Sequence, residues 1–145
     1  MKTTLVMLVD DEVPFVETMV KRLQKRNLTV LTAYSGKEAL ERLGKHRNTD
    51  VVILDVKMPG MDGIETLTEI KKAFPLVEVV MLTGHATVES AIEGMKLGAY
   101  DYLMKPCDME QLMSKVNEAA EKRREHEDKI REARVREALS EHGLE

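Results

Sequence analysis

Five polar residues each follow a short run of the sequence that has strand character. Two are adjacent carboxylates, a third carboxylate follows a later run, and a hydroxyl and an ammonium follow two more. Carboxylates that share a cleft repel each other, and Mg²⁺, which prefers oxygen ligands, offsets that repulsion. A hydroxyl and an ammonium nearby could hold the oxygens of a transferring phosphoryl group, and an aspartate can itself form an acyl phosphate. The residues are Asp10, Asp11, Asp55, Thr83 and Lys105.

The elements that must position these residues alternate between strand and helix patterns. Five mostly apolar runs of strand length are separated by segments with helical periodicity. Such alternation predicts a parallel sheet covered on both faces, in which the carboxyl ends of all strands lie at one edge. Ligands of open α/β sheets bind at that edge, so the five polar residues are predicted to gather there. The predicted strands are 5–9, 28–33, 51–54, 77–82 and 99–104.

Each of these residues also has a purely structural interpretation. Asp55 precedes a Pro-Gly and an Asp-Gly pair and could simply begin a turn. Asp10 and Asp11 could form the acidic entry of the first helix. Thr83 could bond its own backbone, and Lys105 could be a solvated surface lysine. If these residues do not share a site, their occurrence at one sheet edge needs four separate structural explanations, whereas a single shared site accounts for every one of these residues.

The fourth predicted helix is amphipathic. Thr87 is a suitable N-cap for it. Its apolar residues recur at helical spacing and therefore share one face. These residues are Val88, Ala91, Ile92 and Met95.

Composition and charge exclude several classes of function. The 145 residues carry 22 cationic and 26 acidic side chains, a net charge of −4, which gives no nucleic-acid footprint. The single cysteine, Cys107, excludes an internal disulfide and a multi-cysteine zinc site, and it favours a reducing cytoplasm. No apolar run is long enough for a membrane span or a signal peptide. We therefore predict a cytoplasmic protein that contacts neither membrane nor nucleic acid directly.

The motifs at the strand ends resemble those of the response-regulator receiver domains of two-component signalling. The order and spacing of these motifs match that family over about the first 120 residues. The stretch that ends in Gly-Ala-Tyr-Asp-Tyr-Leu-Met-Lys-Pro is most similar to receivers of enhancer-binding transcription activators. The resemblance implies an α/β, flavodoxin-like, doubly wound domain with strand order 2-1-3-4-5. The matching stretches are Val9-Asp10-Asp11, Asp55 with 58–63, Thr83-Gly84 and Lys105-Pro106.

The resemblance also implies a phosphoacceptor and a metal site. Asp55 would accept a phosphoryl group from a phosphohistidine of a sensor histidine kinase. Asp10, Asp11 and Asp55, with the backbone carbonyl of Lys57, would hold Mg²⁺. The protein would then be a phosphorylation-dependent switch and a regulatory domain, catalysing only its own phosphorylation and dephosphorylation.

Further roles follow from the same resemblance. Thr83 and Lys105 would contact the phosphoryl oxygens, and Tyr102 would turn inward as Thr83 moves. Lys57 and His85 would occupy the variable positions that tune the lifetime of the phosphorylated state. The peptide bond from Lys105 to the following proline would be cis, which is plausible only before proline.

Residues 121–145 form a predicted extension to a receiver domain at 1–120. The stretch 121–128 is almost wholly charged, and pairs of opposite charge one turn apart support an exposed helix. A solvated extension is favoured over a coiled coil between protomers, because Arg123 and His126 occupy the possible seam. The predicted partners are the kinase and a downstream effector, with a homodimer through helix four, strand five and helix five, or through the C-terminal helix, as a further option.

Three alternative functions fit parts of the sequence. A degenerate receiver would only bind a partner, but its site would not need all of Asp11, Asp55, Thr83 and Lys105. A flavin carrier of the same fold would need hydroxyls and amides, not acids, in the first loop. A phosphatase with an aspartate nucleophile would need a second acid two residues after Asp55, where Lys57 stands.

Overall fold

The computed structural model describes residues 3–58, 60–84 and 87–143. Within these ranges, five parallel strands form one sheet in the order β2-β1-β3-β4-β5 and alternate with five helices. The predicted fold class and strand order are therefore confirmed. The elements are β1 Leu5–Val9, α1 Val13–Gln24, β2 Thr29–Ala33, α2 Gly36–Lys45, β3 Val51–Leu54, α3 Gly63–Ala73, β4 Glu78–Thr83, α4 Val88–Lys96, β5 Asp101–Met104 and α5 Met109–Glu141.

Two apolar layers hold the helices on the sheet. Successive side chains of a strand face opposite sides, so each central strand contributes to both layers. Leu8 and Ile53 pack with residues of α1 and α5, whereas Met7 and Leu54 pack with residues of α2 and α3. These strand residues are buried, and full burial of such a side chain contributes about 1.5–3 kcal/mol. The sheet is therefore a rigid support for the loops at its edge.

The strand register brings the predicted site residues to one level of the sheet. Val9 of β1 is paired with Leu54 of β3, and the Asp55 N–H donates to the Val9 carbonyl at 3.0 Å. Thr83 is paired with Met104 at the end of β5. The residues directly after β1, β3 and β5 therefore lie at the same edge of the sheet as the end of β4, as the βα alternation predicts.

The apolar face of α4 lies away from the sheet rather than against it. Val88 is 76% exposed, and Ile92 and Met95 are also exposed, although their spacing is that of a core-facing stripe. The reason lies at Gly94, the buried residue of α4, where a Cβ would lie 2.6 Å from the Met81 sulfur. Because α4 contacts the sheet through a glycine, its larger apolar residues remain on the surface.

Helix α5 continues without a break past Ala120, where the predicted receiver domain ends. It has 33 residues and begins at Met109; the N-cap is Asp108, whose Oδ1 accepts from the Gln111 N–H at 2.7 Å. Leu112 and Val116 are fully buried against the sheet. No helix in the described part of the chain has the length and apolar character needed to cross a membrane.

Arg123 corrects the prediction that residues 121–128 are wholly solvated. Its side chain is 10% exposed and lies at the amino end of β3, with the guanidinium 3.6 Å from Asp50 Oδ1. It also pairs with Glu127 and donates to the Arg47 carbonyl at 3.1 Å. The physical reason is the buried Asp50, because a carboxylate removed from water needs a cation nearby.

The neighbouring residue of α5 makes an equivalent contact with β4. Lys122 Nζ lies 3.2 Å from Glu78 Oε2, and Lys71 Nζ of α3 lies 3.2 Å from Glu78 Oε1. Glu78 is buried, so both cations compensate a charge that has lost its water. Consecutive residues of α5 therefore contact the starts of β3 and β4, whose other ends lead to Asp55 and Thr83.

Candidate functional site

Three aspartates form an acidic cluster at the carboxyl edge of the sheet. Asp10, Asp11 and Asp55 each offer a carboxylate oxygen, and these oxygens lie within 4.8 Å of one another. Asp10 and Asp55 are 1% and 2% exposed, and Asp11 is half-buried. The cluster is therefore close enough, and sufficiently withdrawn from water, to bind one small divalent cation.

One carboxylate oxygen of Asp55 is a buried acceptor that no described residue uses. Its Oδ1 is inaccessible to solvent and has no hydrogen-bond partner among the described residues. A buried carboxylate oxygen without a donor costs free energy, so such atoms in folded proteins point to a role. An oxygen in this state fits a metal ligand or a nucleophile that waits for its reaction partner.

Lys105 places its ammonium at the acidic cluster. Its Nζ lies 2.6 Å from Asp10 Oδ2 and 3.6 Å from Glu12 Oε1. Its backbone N–H donates to the Thr83 carbonyl at 2.9 Å, which fixes the start of its side chain beside β4. Lys105 is thus anchored by the backbone and directed into the acidic cluster.

The charges in the cluster perturb its members in a consistent way. Burial is the largest influence on the pKa of Asp10; together with the Asp55 charge it raises that pKa overall, although hydrogen bonds with Lys105 and the Glu12 N–H lower it. Burial alone would lower the pKa of Lys105, but its hydrogen bond to Asp10 and the charges of Asp10, Asp55 and Glu12 raise it overall. Lys105 therefore stays protonated at neutral pH, and one ammonium faces several carboxylates. The site is short of positive charge, which suits a divalent cation.

Thr83 and Tyr102 lie on the two strands next to the cluster. Thr83 is fully buried at the end of β4. Tyr102 is half-buried on β5, and its hydroxyl is 3.3 Å from the Ser90 hydroxyl. Ser90 also completes the capping box of α4 with Thr87. The aromatic ring that was predicted to switch is thus in contact with the first turn of α4.

Comparison with known proteins identifies the family. The family model named response regulator receiver domain matches residues 6–117 of the chain. This chain belongs to the response regulator receiver domain family. The predicted family is therefore confirmed, and it favours a receiver over the flavin carrier and the phosphatase.

Individual receiver domains show the same likeness. The chain is 39% identical to the transcriptional regulatory protein ZraR of Escherichia coli O157:H7 over 79% of its length, and 34% identical to the DNA-binding transcriptional regulator NtrC of Escherichia coli K12 over 82%. It covers 26% and 25% of those two proteins, or about a quarter of each. A receiver domain from Clostridium thermocellum superposes with a TM-score of 0.80 at 37% identity, covering 83% of this chain and 97% of that one.

The remaining residues singled out in the sequence have no described contact with the acidic cluster. Lys57 is exposed in the loop after β3, and the metal-binding role of its carbonyl stays a prediction. His85 lies outside the described residues, so its tuning role also stays a prediction. The bond between Lys105 and Pro106 is cis, as the family resemblance implies. Burial raises the pKa of the Cys107 thiol, which agrees with an inert cysteine.

Phe15 is the residue of the receiver site that sequence reasoning missed. Its ring centroid lies 4.0 Å from Lys105 Nζ. The available signal was weak: the chain has only two phenylalanines, and this one follows Pro14 within the first turn of a helix that begins beside Asp11. Nothing in the sequence pattern connects an aromatic residue in α1 with a lysine after β5.

Proposed function

We propose that this receiver domain is a phosphorylation-dependent signalling switch, in which Asp55 accepts a phosphoryl group from a phosphohistidine of a sensor histidine kinase in the cytoplasm. The observation that carries the proposal is the buried Oδ1 of Asp55, which has no hydrogen-bond partner in the part of the chain that the structure describes and lies beside two further carboxylates and within the field of Lys105. A structural aspartate at a turn would use its oxygens to accept local N–H groups. Asp55 is instead kept buried with an oxygen free to react.

The transfer follows from the residues around Asp55. A carboxylate oxygen of Asp55 forms a bond to phosphorus while the bond from phosphorus to the histidine nitrogen breaks, and the nitrogen keeps the electron pair. The Lys105 ammonium and the Thr83 hydroxyl lie at the same edge and would contact the phosphoryl oxygens. Preorganised charge of this kind stabilises the transition state of phosphoryl transfer. Hydrolysis of the acyl phosphate by water would return the receiver to its resting state.

Asp10, Asp11 and Asp55, with the Lys57 carbonyl, would hold Mg²⁺. The donor set fits this ion, since Mg²⁺ is usually bound by one or two carboxylates together with water and phosphate oxygens. When bound, Mg²⁺ would neutralise charge on the phosphoryl oxygens. Among the described residues, the cluster of three carboxylates is in contact with one ammonium, and this surplus of negative charge is the physical reason to expect a divalent cation here.

Magnesium is expected to stabilise the folded protein against heat. At a concentration ten times Kd, binding to the folded state alone adds about 1.4 kcal/mol. Melting curves with MgCl₂ or with EDTA measure this directly, and EDTA should reverse the shift. Asp11→Asn should reduce the response, whereas Asp62→Asn should keep it, because Asp62 caps α3 outside the cluster and asparagine also caps helices. An equal response in Asp11→Asn would contradict the metal site.

The phosphorylated state would be read at α4 and β5. A phosphoryl group adds about two negative charges at the strand edge and biases an existing equilibrium of the nearby elements. The Tyr102 hydroxyl lies 3.3 Å from the Ser90 hydroxyl and so connects β5 to the cap of α4, and this is the route by which a shift near Thr83 would reach α4. The exposed apolar face of α4, with Met104 of β5, offers the surface that an effector or a second copy would bind. By analogy with ZraR and NtrC, we propose that the effector regulates transcription.

Acetyl phosphate with Mg²⁺ is expected to add one phosphoryl group to the wild-type protein. Intact-mass spectrometry measures the adduct, and Asp55→Asn should abolish it because the amide lacks the nucleophilic oxygen. Asp62→Asn is the matched control and should be phosphorylated normally. A wild-type protein without an adduct under these conditions would overturn the switch and leave only a partner-binding receiver.

A further inference from the structure

The Lys105 ammonium has two kinds of neighbour. Asp10 and Glu12 lie 2.6 and 3.6 Å from its Nζ, and the Asp55 charge also acts on it. On another side the ring of Phe15 lies 4.0 Å away, measured to its centroid. An aromatic face at this distance attracts a cation through its quadrupole, and more strongly when both are withdrawn from water. The Lys105 side chain is only 14% exposed and the Phe15 ring is half-buried, so both groups are partly withdrawn from water.

These neighbours respond differently to a divalent cation in the cluster. A metal ion held by Asp10 and Asp55 would draw on the carboxylates that attract Lys105, and its charge would repel the ammonium. The Phe15 ring offers no oxygen, and Mg²⁺ binds through oxygen ligands. The ring is therefore a neighbour of Lys105 for which the metal does not compete. Without the ring, the Lys105 ammonium would turn toward Glu12 and solvent once the metal is bound, which is the state in which phosphoryl transfer needs the ammonium.

The position of Phe15 is itself fixed by the fold. Pro14 restricts the backbone of the first turn of α1, and Val16 is buried in the layer between α1, α5 and the sheet. The half-buried Phe15 ring packs against that same layer. Because the ring is held by this packing, it stays in place when the Lys105 side chain moves, and it offers the ammonium a fixed aromatic face.

We infer that Phe15 is a positioning residue, whose ring holds the Lys105 ammonium over the phosphoacceptor when the metal occupies the acidic cluster. This inference rests on the proposed function. It assigns Phe15 no contact with the phosphoryl group, because its effect is carried by Lys105. A role in packing alone would make Phe15 equivalent to any apolar residue of similar size.

The test compares substitutions that keep or remove the aromatic face in the full chain. Phe15→Leu removes the face and keeps an apolar side chain, and it should slow phosphorylation by acetyl phosphate with saturating Mg²⁺ about three- to fivefold. Phe15→Tyr keeps the face and should stay within about twofold of wild type. Phe74→Leu is the control, since it removes the other phenylalanine, whose ring faces Arg47, and should leave the rate unchanged.

A second readout follows the contact itself. With lysine labelled by ¹³C, the protons next to Lys105 Nζ should show an upfield ring-current shift that persists in saturating Mg²⁺ and is lost in Phe15→Leu. Equal rates for wild type and Phe15→Leu, or equal slowing in Phe15→Leu and Phe15→Tyr, would overturn the inference while leaving the proposed function intact. Absence of phosphorylation in the wild-type protein would instead overturn the proposed function.

Discussion

Replacement of Arg123 by methionine is expected to lower the free energy of unfolding by about 3 kcal/mol. The change keeps most of the side-chain volume but removes the guanidinium from the buried Asp50, which then retains the Leu5 N–H as its hydrogen-bond donor at 2.9 Å. It also removes the donor to the Arg47 carbonyl. Urea unfolding followed by circular dichroism measures the loss, which should lower the melting temperature by about 10 °C.

An exposed arginine of the same helix provides the matched control. Arg131 pairs with Asp128 at 3.2 Å, but both side chains are more than 60% exposed. Arg131→Met should therefore change stability by less than about 0.5 kcal/mol. In the double variant Arg123→Met with Asp50→Asn, part of the loss should be recovered, because the uncompensated charge is gone. If Arg123→Met were as mild as Arg131→Met, Asp50 would not depend on Arg123.

Replacement of Gly63 by alanine is expected to cost about 2–3 kcal/mol and to reduce phosphorylation at Asp55. A Cβ at Gly63 would overlap the Asp55 carbonyl oxygen and lie 2.5 Å from the Val56 Cα. Both obstacles are backbone atoms, so relief requires the loop after β3 to move, and the phosphoacceptor moves with it. Chemical unfolding and the rate of acetyl phosphate incorporation measure the two effects separately.

Gly44 is the control for the same chemical change. It lies in α2, and a Cβ there meets no atom within 4 Å. Gly44→Ala should therefore stabilise the protein by about 0.5–1 kcal/mol, through the greater helix propensity of alanine and the lower entropy of its unfolded chain. Phosphorylation should be unaffected. If the free energy of unfolding changed by the same amount and in the same direction in Gly63→Ala and Gly44→Ala, the crowding at Gly63 would carry no energetic cost.

Local sequence patterns were enough to predict the α/β fold and to predict which residues gather at the carboxyl edge of the sheet. Apolar runs such as 51–54 exceed what an exposed strand would carry, and their alternation with helical periods leaves only a parallel sheet. Asp10 and Asp55 could then be brought together without coordinates, because the ends of parallel strands meet. The strand order depended on the resemblance to receivers rather than on this reasoning.

The contacts that were missed join residues far apart in the sequence. Arg123 has the local appearance of a solvated charge, and only its proximity to Asp50 explains its burial. The ring of Phe15 resembles any apolar residue of α1 until Lys105 is placed above it. The apolar residues of α4 share one face as their spacing predicts, but the contact through Gly94 turns that face to solvent. Periodicity shows which residues share a face, but packing decides what that face meets.

Helix α5 has a mechanical consequence that follows from its length. Its 33 residues span about 50 Å, and the part beyond Arg123 extends about 27 Å from the contact with Asp50. The part of the helix beyond Arg123 would therefore pivot about the ion pair between Arg123 and Asp50 at the start of β3. A tilt of about 10° at this ion pair would move the tip by about 5 Å, close to one turn of helix. A rearrangement too small to notice in the sheet would thus become a large displacement at the far end of the helix.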